Sequence, residues 1–363
     1  MSRRAAIEEG PPESDALESA PHPRETEHLF GHKAAEAEFL DAYREGRLPQ
    51  AWLIGGREGI GKATLAWRVA RFILANPDPR LPAVQRATDL HVDPEHPVAR
   101  RIAAKAHADV VTLRREWDPK SKKHFTETRV DDVRKAISLF HQSASEGGWR
   151  IVIVDPADDL NKSSANALLK IIEEPPPRSL FLIASHRPAA TMPTIRSRCR
   201  RLTLSPLSDA DVASAIRAMA TQGLNAPEKD LLAAAARASG SVRDALLYLD
   251  SASNAVNEAI EKLLAKLPQV DWRAVHKLAD VTTGREGADA FDVMLTRTFE
   301  WLDARTRDAA AAGAGPRSLA PFAQVWEKIA ASARETQALN LDRRPLVLSI
   351  FADLSAAVSA ARG

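Results

Sequence analysis

From about residue 51 to residue 204, short runs of consecutive apolar residues alternate with stretches in which apolar residues recur every three or four positions. "AWLIGG" (51–56) is an apolar run entering glycines, and "KATLAWRVARFIL" (62–74) sets Leu65, Val69, Phe72 and Ile73 along one helical face. This predicts strand, loop and helix in succession. "DVVTLRREW" (109–117) predicts a strand, "VDDVRKAISLF" (130–140) an amphipathic helix carrying Val130, Val133, Ile137 and Phe140, and "RIVIVD" (150–155) another strand. An uninterrupted apolar run such as the last fits a parallel strand buried on both faces. "SANALLKIIEEPPP" (164–177) predicts a helix stopped by prolines, "LFLIAS" (180–185) a buried strand and "RRLTL" (200–204) a last short one. Together these predict an α/β core with a mostly parallel sheet over residues 28–204.

After Pro206 the strand signal stops. Ser208 with Asp211 three residues on resembles a capping box, opening a helix that carries Val212, Ile216 and Met219. Helices at 209–221, 227–238 and 241–250 make up a small helical lid, residues 205–252, with Gly240 as a helix stop. From 256 to 363 the segments "NEAIEKLLAKL", "WRAVHKLADV", "FDVMLTRTFEWLDA", "FAQVWEKIA" and "PLVLSIFADLSAAV" all show helical spacing. They predict a third, all-helical domain, with "AAAAGAGPRS" (309–318) as a flexible connector.

Composition adds limits. A chain of 363 residues exceeds what one core usually organises, and 45% apolar with 27% charged residues is typical of a soluble globular protein. The single cysteine, Cys199, excludes an internal disulfide framework and any multi-cysteine zinc site, which fits the cytoplasm. Fifty basic against 48 acidic residues leave a net charge of +2, so no global field marks a nucleic-acid binder. Arg3 and Arg4 lead into no apolar stretch, so no signal peptide is expected, and no run of about 18 apolar residues predicts a membrane span. Residues 1–27, rich in Glu and Pro, read as a disordered tail. The run "REWDPKSKKH" (115–124) reads as a solvated charged hairpin tip, the alternative being phosphate contact through Lys120, Lys122 and Lys123.

"GGREGIGKAT" (55–64) carries the candidate chemistry. In a phosphate-binding loop, backbone N–H groups of a glycine-rich turn converge on phosphates at a helix N-terminus. Gly56, Gly59 and Gly61 provide the turn, and Lys62 would reach the terminal phosphates. A Ser or Thr hydroxyl should follow to hold magnesium, but Ala63 stands there. Thr64, rotated by about 100° on a 3.6-residue turn, is expected to point elsewhere. The alternative is a glycine-rich turn without a ligand. Asp155, ending a buried strand, is placed to serve a metal ion directly or through water. Pro156 follows it, where hydrolysing proteins of this type need a glutamate to orient water. Asp158 and Asp159 are expected to be solvated or capping.

Four stretches in this order and spacing resemble the bacterial clamp-loader subunits of the AAA+ class, the delta-prime type of the DNA polymerase III holoenzyme above all. They are "LFGHKAAEAEFLDAYREGRLPQAWLIGGREGIGK", "SSANALLKIIEEPPP", "TIRSRC" and "GSVRDAL". The resemblance covers residues 28 to about 250. It implies a P-loop NTPase core, a helical lid and a helical collar at 256–363 that holds subunits together. It also implies that Arg198 of "SRC" is an arginine finger acting in trans on the ATP of a neighbouring subunit; the alternative is a solvated patch of Arg196, Arg198, Arg200 and Arg201. Arg243 matches the family's second sensor, the alternative being a surface arginine that starts a helix, and Ser185 falls where the first sensor lies, the alternative being a polar residue that simply leaves a strand. Cys199 is then a small packed residue rather than a nucleophile.

Relatives often carry a four-cysteine zinc module at 76–108. This stretch has none, His91, His96 and His107 read as surface residues, and no zinc is expected. The cofactor implied is ATP or ADP with magnesium at a weakened site, held by Gly56, Gly59, Gly61, Lys62, Thr64, Asp155 and Arg243. The partners implied are the motor subunits and delta, with the sliding clamp and primed DNA reached through the complex, in the cytoplasm and at the nucleoid through the replisome. Little or no ATP hydrolysis and no nucleotidyl transfer are expected of the chain itself. The rival reading is an active AAA+ ATPase, a motor subunit or a helicase-loading or recombination remodeller. Glu173 and Glu174 end a helix where acids oppose the macrodipole, and the sequence offers no reason for them.

Overall fold

In a computed structural model of the chain, residues 13–362 are described, apart from 15, 18–19, 141–147, 221–225, 250, 284–286, 314 and 340. They form two compact units, Met1–Leu246 and Leu247–Gly363.

The first unit runs α1 (Lys33–Arg44), β1 (Ala51–Gly55), α2 (Lys62–Ala75), α3 (Pro82–Arg86), α4 (Pro97–Ala103), β2 (Val110–Leu113), β3 (Trp117–Asp118), β4 (Lys123–His124), α5 (Val130–Phe140) and β5 (Arg150–Val154). It continues with α6 (Lys162–Glu173), β6 (Ser179–Ser185), α7 (Pro193–Arg196), β7 (Arg200–Thr203), α8 (Asp209–Ala220) and α9 (Glu228–Arg237). α10 (Val242–Leu249) spans the boundary between the units.

Five parallel strands stand in the order β2-β5-β6-β1-β7. Successive residues of a strand point to opposite faces, and both faces here are apolar. Trp52, Ile54, Ile151, Ile153, Leu180 and Leu182 join one core with Leu65, Val69, Phe72 and Ile73 of α2. Leu53, Val152, Val154, Phe181 and Ile183 join another with Val133 of α5 and Leu168 and Ile172 of α6. The continuous apolar runs follow from this sandwiching of the sheet between two helix layers. Because the strands are parallel, the carboxyl ends of β1, β5 and β6 open on one edge, where ligands of such sheets bind. This is the expected α/β core with a parallel sheet, and the described elements that follow it are all helices.

Several expectations are corrected. The strand predicted over 109–117 stops at Leu113; Trp117 pairs instead with His124 in a separate two-stranded hairpin. The helix predicted from 164 starts at Lys162, because Oδ1 of Asn161 accepts the Ser164 N–H at 2.8 Å and caps it. Ser208 makes one half of the capping box: its Oγ accepts the Asp211 N–H at 3.1 Å, while the acid accepts from that hydroxyl at 2.7 Å.

The tail reading of 1–27 fails for its described part, although residues 1–12 lie outside the described residues. His22 and Arg24 are buried. The Arg24 guanidinium donates to the Ala103 carbonyl at 3.2 Å and to Glu13 at 2.6 Å, while Arg71 and Arg68 of α2 donate to the carbonyls of Thr26 and Glu27. Counting apolar side chains missed this segment, because polar bonds from a neighbouring helix fasten its backbone.

The second unit holds α11 (Ser251–Ala265), α12 (Trp272–Thr283), α13 (Gly287–Ala311), α14 (Pro316–Ala338) and α15 (Arg343–Arg362). Ile260, Val275, Phe291, Met294, Val347, Ile350 and Phe351 are among its core. The connector predicted over 309–318 shrinks to 312–315, since Ala309–Ala311 extend α13 and α14 already begins at Pro316. No membrane-length helix was expected, yet Arg343–Ala361 is long and apolar enough to cross a membrane by length and composition. Val347, Ile350, Phe351 and Leu354 account for that apolarity as core residues of the bundle.

Candidate functional site

The loop leaving β1 and the start of α2 form one end of a cavity of about 720 Å³, a size that suits a nucleotide-scale ligand. Its polar end is lined by Glu58, Lys62, Arg115, Asp155, His186 and Arg243; its apolar end includes Leu29, Phe30, Leu207, Met219 and Leu246.

Lys62, Asp155 and Arg243 come from three separate stretches of chain and meet here, as do Gly59, Gly61 and Thr64. Gly61 caps α2 with φ +102°, which a side chain would resist. Lys62 is 4% exposed, and its Nζ donates to the carbonyls of Gly56, at 2.7 Å, and Arg57. Burial pushes its ammonium down to about 8, against the pull of Asp155, Glu58 and Asp158. Gly56, expected among the residues holding the cofactor, is not on the cavity wall; its carbonyl accepts from Lys62. Thr64, expected to point elsewhere, lines the cavity together with Ala63. Asp155 is buried at the end of β5.

Of the two acids expected to be solvated or capping, Asp158 has a buried side chain and Asp159 is only partly exposed. Asp158 accepts the backbone N–H groups of His186 at 2.7 Å and Arg187 at 3.0 Å, fastening the turn after β6. Asp159 lies 3.0 Å from Arg115 and also faces the cavity; burial pushes it up to about 6 in spite of that partner. Ser185 is fully buried, 3.1 Å from the Thr191 hydroxyl, and its Oγ accepts the Arg187 N–H; it is not among the lining residues, whereas His186 is. Burial lowers the His186 imidazole, and Lys62 lowers it further.

Reasoning from the chain alone missed Glu58, Arg115, Asp159 and His186. Glu58 is the most consequential, because its Oε1 lies 3.1 Å from Nε of Arg243. Burial raises its carboxyl, but His186, Arg243 and Lys62 outweigh burial and the net shift is downward. The warning in the sequence was an acid inside a phosphate-type loop.

Arg198 lies on none of the cavity walls. It follows α7, is half exposed, and reaches Glu173 Oε1 at 2.7 Å and the Thr194 carbonyl at 3.1 Å. Burial pushes the Cys199 thiol up to about 12, which leaves it protonated and inert at neutral pH. His96 and His107 accept the backbone N–H groups of Val98 and Asp109; His91 is exposed as expected, whereas His107, expected at the surface, is buried.

A family model described as "DNA polymerase III, delta subunit" matches residues 31–208, the span that builds this sheet and its loops. A delta-prime subunit of Pseudomonas aeruginosa is 36% identical over 149 residues, 41% of this chain and 41% of that one. The chain is thus similar, over its first half, to delta-prime-type clamp-loader subunits. The delta-prime subunit of Escherichia coli K12 is 28% identical over 64% of each chain, and a gamma subunit of Buchnera aphidicola is 26% identical over 63% of this chain and 59% of its own length. The chain spans about two-fifths to just under two-thirds of the length of these relatives. A solved gamma subunit-related protein of Thermotoga maritima is similar at 15% identity with a TM-score of 0.36, covering 88% of this chain and 99% of that one, too distant to add to this.

Proposed function

We propose that this chain is a stator-like, delta-prime-type subunit of a DNA polymerase III clamp loader, with little or no ATP turnover of its own. Its partners are the motor subunits and delta, and through the assembled loader the sliding clamp and primed DNA; it works in the cytoplasm, at the nucleoid through the replisome. The helical collar at 256–363 holds the ring, and Arg198 completes a neighbour's ATP site. A half-exposed guanidinium outside the chain's own cavity supports that assignment. Placed at a terminal phosphate, such a group stabilises charge that develops in the transition state.

The observation that carries the non-hydrolysing part is Ala63. Directly after a lysine that does line the cavity stands a methyl group where magnesium needs an oxygen. Pro156, also on the wall, can neither orient nor deprotonate a water. The residues fit nucleotide phosphates better than they fit the metal. Gly59, Gly61, Lys62 and Arg243 would hold the phosphates and Asp155 would face a metal ion, whose chemistry is to offset charge on the phosphoryl oxygens.

The second reading is an active motor subunit, favoured by the meeting of Lys62, Asp155 and Arg243 in one nucleotide-sized cavity. DNA-stimulated turnover by a reconstituted loader, with Lys62→Ala in this chain alone, decides between them. Unchanged turnover supports the stator, and a large fall with assembly intact supports the motor.

A further inference from the structure

Phosphate loop and lid meet along a closed seam. The Val242 N–H, at the start of α10, donates to the Gly59 carbonyl at 2.9 Å. A Cβ on Gly59 would sit 2.3 Å from Ser241 Oγ and 2.5 Å from Arg243 Cβ, so a glycine is what lets the two backbones come this close. On one side of that contact Arg57 reaches over to Asp244, Nη2 to Oδ2 at 2.8 Å, and to the Ser239 carbonyl at 3.1 Å. On the other side Glu58 reaches Arg243 at 3.1 Å. Lys62, meanwhile, is turned back onto loop carbonyls.

A phosphate bound by such a loop draws on the lysine and the lid arginine as cations. Here both are already engaged, and the partner of the lid arginine is itself an anion, carried by the loop. The geometry points to Glu58 as an internal anion that latches the phosphate loop to the lid, holding on Arg243 the place of a phosphate oxygen, so that a nucleoside diphosphate or triphosphate enters only by displacing it. This rests on reading the cavity as a nucleotide site. Glu58 then acts as a selectivity element. It disfavours ligands in proportion to the negative charge they bring to the loop, and it is indifferent to a nucleoside that carries none.

The test is equilibrium binding of a fluorescent ADP analogue, and of adenosine by calorimetry, to the full chain at fixed ionic strength. Wild type, Glu58→Gln and the double variant Glu58→Gln/Lys62→Ala are compared, each with its thermal unfolding midpoint measured to confirm folding. The substitution removes one like charge from beside the phosphates and frees Arg243. Affinity for ADP should therefore rise by roughly tenfold or more, affinity for adenosine should stay the same, and the double variant should lose the gain. Equal ADP affinities in wild type and Glu58→Gln overturn the latch while leaving the nucleotide site standing. Failure of both proteins to bind ADP at millimolar concentration overturns latch and nucleotide site together.

Discussion

Glu173, in the last turn of α6, lies 2.7 Å from the Arg198 guanidinium, across the space between that helix end and the turn before β7. This gives the acid a physical role that the helix itself does not. An acid at a helix C-terminus loses a few tenths of a kcal/mol against the macrodipole, and the ion pair offsets that loss. Both partners are about two-fifths exposed, so solvent screens the pair. Glu173→Ala should therefore shift stability by less than about 1 kcal/mol in urea titrations.

Arg198 carries the opposite expectation. If it serves a neighbour's ATP, Arg198→Ala should leave this chain's own stability within about 0.5 kcal/mol while cutting turnover of the assembled loader by roughly 10³-fold. The check is DNA-stimulated phosphate release with complex assembly confirmed by gel filtration. A variant that assembles and turns over normally would refute the finger.

The Glu36–Arg68 pair sits at the other extreme of burial. Glu36 Oε1 accepts from Arg68 Nε at 2.9 Å and Nη2 at 2.6 Å, and from the Leu90 N–H at 3.0 Å, with both side chains under 10% exposed. Glu36→Ala would leave a buried guanidinium and a buried amide without their shared acceptor. A loss of about 3–5 kcal/mol is expected, read from the denaturant midpoint at constant m-value. Replacing both residues with apolar ones of similar volume should recover much of it.

Gly59→Ala tests the seam between loop and lid. The residue has φ +74°, and its new Cβ would collide with Ser241 and with the Cβ of Arg243. Left-handed strain of about 1–2 kcal/mol adds to overpacking of about 1–3 kcal/mol. Hydrogen exchange should show the Val242 amide losing protection in the variant. Retained protection would mean that the seam has room which the structure does not show.

Lys62 predicts a pH dependence of definite sign. Burial places its folded pKa at about 8, below the ordinary 10.5. Between those values the unfolded chain holds a proton that the folded chain has released, so unfolding becomes costlier as pH rises through the window. Relative to Lys62→Met, the wild type should gain up to about 1.4 kcal/mol per pH unit there, about 3 kcal/mol in all. Below pH 8 the difference should be flat. Urea titrations of both proteins at several pH values check this, and a difference that falls with pH would reverse the assignment.

The elements and their order were legible along the chain because they rest on short-range periodicity. Val152 and Phe181 had to be apolar to be buried between helix layers, and the spacing of Leu65, Val69 and Phe72 marked the face of α2. Boundaries slipped where a local device decided them, as at the Asn161 cap and the Trp117–His124 hairpin. The packed stretch before α1 was missed because guanidiniums hold its carbonyls, and composition does not register such bonds.

By itself the sequence determined the α/β core with its parallel sheet, the run of helices after it, and the residue types beside Lys62 and Asp155, namely Ala63 and Pro156. Each of these is a matter of residue type at a fixed local spacing. Only the tertiary structure decided the pairing of charges: Glu58 with Arg243, Arg115 with Asp159, Glu173 with Arg198, and Arg57 with Asp244 at a separation of 187 residues. A charged side chain looks the same in a sequence whether it ends in water or against a partner. The sheet's parallel order carries Glu58, Arg115, Asp159 and Arg243 to one cavity, where each meets its partner.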